Sequence, residues 1–189
     1  MLVCIKRMSR GSGCIGPPPA KVPRHVAVIS DNVSPMSMEP LIEKCLKYNV
    51  EVLSLYGKNI QTRVLQNEPA TFYENDRLLQ TPALSSKLRV IYATFPDPHD
   101  YYVERLKAHL NATTSNYESL SPEELLKSVL KPFDSVDLVI CMRPNMDITP
   151  LLAPTIGFAQ LYHGKAEEVG TAFESAIMSY SHCKQNYGK

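Results

Sequence analysis

The run His25 to Ser30, HVAVIS, carries a β-branched apolar segment straight into Asp31. Ligands of α/β sheets bind beyond the carboxyl ends of strands, so a carboxylate placed there could hold a metal ion or take part in acid–base chemistry. The four residues after it are Asn32, Val33, Ser34 and Pro35, with no glycine among them. A strand-to-helix turn that grips a phosphate usually needs glycine, because only then can backbone N–H groups approach the anion closely. The segment therefore has the position of an active site without its chemistry. A capping or turn role is the first reading of Asp31, and a catalytic role the second. His25 reads first as a structural histidine. Arg143, in CMRPN, reads as a solvated loop arginine. Asp147 could pair with Asp31, but no spacing in the sequence sets their separation.

The other candidate chemistry is thin. Cys4, Cys14, Cys45, Cys141 and Cys183 are odd in number and far apart. They lack the paired spacing of a zinc site and point to reduced, idle thiols. A formal net charge of +1 sets up no long-range field toward nucleic acid or an anionic membrane. Triplets of the glycosylation type at Asn32 and Asn111 are common by chance and carry little.

The elements that must position these residues are those of an α/β chain. The 189 residues, 44% of them hydrophobic, suffice for one core and one domain. Strands are expected at HVAVIS, VEVLSLY (Val50 to Tyr56), LRVIYATF (Leu88 to Phe95) and VDLVICM (Val136 to Met142), the last apolar enough for burial on both faces. Helices are expected over MEPLIEKCLKYN, with Leu41, Ile42, Cys45 and Leu46 on one side, and from about Asp97, where Pro98 suits a first turn. The stretch Arg63 to Leu79 is expected to be helical despite Pro69. Ser121-Pro-Glu-Glu124 has the capping-box arrangement of a further helix. The last helix carries Val169, Ala172, Phe173, Ala176, Ile177 and Tyr180 as one stripe, with Glu167 and Glu168 near its start. Residues 143–164 are expected to be irregular. The sum is a single-domain α/β fold with a mostly parallel central sheet flanked by helices, over 22–189, after a flexible leader at 1–21 that lacks the apolar core of a signal peptide. No stretch approaches the ~20 apolar residues of a membrane span.

Placed in order, these segments resemble the cis-prenyltransferases, which extend a polyprenyl diphosphate with isopentenyl diphosphate. RHVAVISD is similar to the family's H-V-A-x-I-M-D-G-N-G-R up to the catalytic aspartate. VEVLSLY resembles the strand ending L-T-L-Y, and VDLVI resembles P-D-L-x-I. The departures form a pattern. The G-N-G-R loop is Asn32 to Pro35 here, F-S-T-E-N-W is replaced by GKNIQTRV, and R-x-S-G-E-x-R-x-S-N-F is replaced by CMRPNMDITPLLAP. Three anion-binding elements are absent together.

That pattern resembles one branch, the non-catalytic Nogo-B receptor-type subunit of eukaryotic dehydrodolichyl diphosphate synthase. DITPLLAP is similar to its D-S-T-x-G-F-L-P, and YSHCKQNYGK to its closing Y-x-x-C-E-Q-R-L-G-K. The resemblance implies an accessory subunit, not catalytic by itself, that binds a catalytic cis-prenyltransferase chain. The product would be a long-chain polyprenyl diphosphate for dolichol synthesis and protein glycosylation. It implies contact in trans with substrate diphosphate from Asn186, Tyr187 and Gly188, although Asn186 stands where the branch has arginine and forgoes the guanidinium contact.

The resemblance further implies Mg²⁺ held mainly by the partner, with no metal in this chain's own pocket, and farnesyl and isopentenyl diphosphate met through the complex. The apolar residues Leu151, Leu152, Ile156, Phe158 and Leu161 are equally open to core packing and to a subunit interface. The implied location is the cytosolic face of the endoplasmic reticulum membrane, reached peripherally, through the partner, or by an anchor outside this sequence. Two alternatives remain: a divergent enzyme active alone, with Asp31 holding Mg²⁺, and a scaffold pseudoenzyme.

Overall fold

Four central strands contain almost nothing that water would hold. In β1 (His25–Ile29) and β2 (Val52–Tyr56) every residue is buried, as in β6 (Leu138–Cys141), while β5 (Leu88–Ala93) exposes Arg89 alone. Burial on both faces is the mark of a parallel sheet covered on two sides. The computed structural model describes residues 21–31, 38–57, 60, 62, 64–65, 69–80, 86–94, 98–112, 121, 135–148, 156–157, 159–164 and 168–183. Among them the sheet has seven strands in the order β4-β3-β5-β2-β1-β6-β7, completed by β3 (Ala70–Glu74), β4 (Arg77–Leu78) and β7 (Gln160–His163). Every pairing is parallel except β3 with β4.

Alternation sorts the side chains into two cores. Val26, Val28, Leu53, Leu55, Leu138 and Ile140 face helices α1 (Met38–Lys47) and α3 (Val169–His182), whose Leu41, Ile42, Cys45, Phe173 and Ile177 are fully buried against them. The helical stripes expected from spacing are buried, with Met38 added and with Leu46 and Val169 only partly buried. Ala27, Ile29, Tyr56, Ile91 and Val139 face the other way, toward Tyr102 and Leu106 of α2 (Pro98–Ala112). Burying one side chain of the size of Phe173 removes enough apolar surface to stabilise the fold by about 2–3 kcal/mol.

Two expectations are corrected. Within Arg63 to Leu79 the chain forms the β3–β4 hairpin and not a helix. Thr71, Phe72 and Tyr73 are strand-forming types, and Asn75 adopts φ 53°, a left-handed conformation suited to asparagine that turns the chain between the paired residues Glu74 and Arg77. The open edge of β5 accepts β3 in register, Ala70 opposite Leu88. Within 143–164 a strand, β7, adds to β6 with Leu138 opposite Gln160. Its four residues show no alternation, so only the pairing reveals it. Residues 1–20 of the leader, the capping box from Pro122 onward, and the tail 184–189 lie outside the described residues.

Candidate functional site

The strand order makes a topological switch. From β1 the chain adds β2, runs to the edge pair β3 and β4 and comes back to insert β5 on one side, then crosses to build β6 and β7 on the other. Beyond the carboxyl ends of two strands that diverge in this way lies the crevice where α/β sheets bind ligands. Asp31 leaves β1 there, and Arg143 leaves β6 there.

Backbone pairing carries both residues to that point. Ser30 N donates to Tyr56 O at 2.8 Å and Met142 N to Ile29 O at 2.8 Å, so the ladders run one step past each strand before the chains turn away. The turn after β6 closes over Cys141, whose thiol donates to the carbonyls of Asn145 and Asp147 at 3.6 Å each. This brings Asp147 back to the same end of the sheet.

Arg143 then spans two carboxylates. Its Nη2 donates to Asp31 Oδ1 at 2.8 Å and its Nη1 to Asp147 Oδ2 at 2.5 Å. The arginine side chain is 12% exposed against 40% and 37% for the aspartates, so the cation is the inner member. Burial is the largest single influence on the guanidinium and disfavours its charge, but Asp31 and then Asp147 together outweigh it and raise its pKa. The solvated loop arginine expected from CMRPN is thus corrected to a half-buried one paired with two carboxylates. Its backbone is held too. His163 Nε2 donates to Arg143 O at 2.8 Å, which places the ring proton on Nε2 because a carbonyl only accepts.

Glycine is used at this end of the sheet for close packing. A Cβ at Gly57, just past β2, would lie 1.9 Å from Ser30 O. One at Gly164, just past β7, would lie 2.6 Å from Met142 Sδ and 2.9 Å from Ala172 Cβ. Both glycines therefore let neighbouring backbone and side chains close beneath Asp31 and Arg143.

His25 is structural, as expected: it is buried and its Nε2 lies 2.9 Å from Ser54 Oγ. Ser54 also hydrogen-bonds Tyr56, whose phenol burial pushes well above the ordinary tyrosine range. At the sheet's other end the Asp137 carboxylate accepts from the backbone N–H groups of Arg24 and His25 at 2.8 and 3.1 Å, fixing β1 against β6.

The site does not fit a divalent cation. Mg²⁺ demands near-octahedral oxygen coordination. Here one oxygen of Asp31 and one of Asp147 already accept from a guanidinium, and no cluster of three metal-ligating side chains occurs among the described residues. Ile156 and Leu161 pack, half-buried, against the second core. Leu151, Leu152, Phe158, Asn186, Tyr187 and Gly188 lie outside the described residues. What the sequence analysis missed is the role of Arg143 and His163. The only local signal was an arginine immediately after a buried strand.

No protein-family model matches the chain, and no curated protein matches its sequence. Solved structures do match. A probable undecaprenyl diphosphate synthase from Campylobacter jejuni aligns over 87% of this chain and 98% of its own, with TM-score 0.65 and 15% identity. Lavandulyl diphosphate synthase from Lavandula x intermedia, in complex with dimethylallyl diphosphate, aligns over 89% and 99%, with TM-score 0.63 and 10% identity. At such identities the likeness is one of architecture, and that architecture, a seven-stranded mostly parallel sheet between helices, is the cis-prenyltransferase fold.

Proposed function

We propose that this chain is a non-catalytic subunit of a heteromeric cis-prenyltransferase. The observation that carries the reading is the engagement of Asp31, the residue that resembles the family's catalytic aspartate, by Arg143. A carboxylate whose charge is already offset by a guanidinium is a poorer ligand for the metal that would offset a leaving diphosphate. The glycine-free sequence Asn32 to Pro35 supports the same conclusion, because it offers no close backbone approach to an anion.

In this reading the catalytic partner binds farnesyl and isopentenyl diphosphate with Mg²⁺, and the complex makes a long-chain polyprenyl diphosphate for dolichol and protein glycosylation at the endoplasmic reticulum membrane. The tail from Asn186 to Lys189 crosses to the partner, where backbone N–H groups around Gly188 donate to a substrate phosphate and Lys189 adds charge. Leu151, Leu152, Ile156, Phe158 and Leu161 contribute apolar surface to the contact.

Co-expression with a catalytic cis-prenyltransferase chain from the same source, followed by incorporation of labelled isopentenyl diphosphate, tests the reading. Synthesis by the pair and not by this chain alone is expected, with a marked loss on deleting 186–189. Incorporation by this chain alone would overturn it. A stable pair whose rate ignores this chain would favour a scaffold.

A further inference from the structure

We draw no further inference here: the strongest candidate, the outer edge of strand β7 (Gln160–His163), which among the described residues pairs with β6 alone, carries nothing because no feature of the structure shows what covers it.

Discussion

Arg143 and Asp31 are separated by 112 residues of chain, yet Nη2 of one lies 2.8 Å from Oδ1 of the other, across the point where the sheet reverses its strand order. The contact joins the first strand to the sixth and consumes the carboxylate on which a metal would depend. Because the arginine is the more buried member, the two acids are not equivalent to removing the base. D31N or D147N leaves one acceptor in place, whereas R143Q leaves two carboxylates in mutual repulsion. Chemical denaturation should show R143Q losing about 1–3 kcal/mol and each single aspartate variant less. A double-mutant cycle for Arg143 with Asp31 should give a non-zero coupling energy, and additive effects would mean the pair contributes nothing.

Gly57 and Gly157 offer a controlled comparison. A methyl at Gly57 would fall 1.9 Å from the carbonyl oxygen of Ser30, just past β1, while one at Gly157 would meet nothing within 4 Å. G57A is therefore expected to lower stability by about 3 kcal/mol or more and G157A by less than about 0.5 kcal/mol, read as midpoint shifts in urea. Equal midpoints would contradict the packing described beneath Asp31.

The alkaline limb of stability should be steep. Burial raises the Tyr56 phenol well above the tyrosine value of 10.0 and raises Cys45 far above the thiol value of 9.0. Both groups ionise in the unfolded chain first. Their contribution is complete below the unfolded pKa and is lost as pH rises toward the folded one, by about 1.4 kcal/mol per pH unit for each group. Y56F should flatten the slope above pH 10 by about that amount, and an unchanged slope would place the Tyr56 hydroxyl in contact with water.

Asn75 holds the hairpin turn in two ways. Its φ of 53° is left-handed, and its side chain accepts from Thr94 N at 3.0 Å while donating to Thr94 Oγ1 at 3.2 Å. N75A loses both conformational fit and hydrogen bonds and should cost about 1–3 kcal/mol. N75G restores the fit alone and should recover part of the loss. If the two variants matched in thermal denaturation, backbone strain would play no part here.

How much of this was legible in the sequence depends on how far each signal reaches along the chain. The runs around Val26, Leu53 and Val90 are short and β-branched, and the run around Leu138 is apolar enough that burial on both faces, and with it a parallel sheet, follows directly. The stripes Leu41-Ile42-Cys45 and Phe173-Ala176-Ile177 recur at helical spacing, so α1 and α3 follow as well. Pro98 marks the first turn of α2 by its own geometry. The absence of glycine from Asn32 to Pro35 is likewise a local fact, and it already excluded a phosphate-gripping loop at Asp31.

Tertiary structure decided what depended on a distant neighbour. Ala70 to Glu74 became a strand because β5 offered an unpaired edge, and a propensity signal weaker than that pairing pointed elsewhere. Gln160 to His163 became β7 for the same reason, against β6. Arg143 is the sharpest case. Taken alone it is a polar residue after a strand, best left in water. Only when the fold sets β1 beside β6 do Asp31 and Asp147 supply the negative charge that outweighs the cost of burying a guanidinium. Periodicity records what each residue does within its own element, whereas an ion pair across the switch point exists only once the sheet has closed.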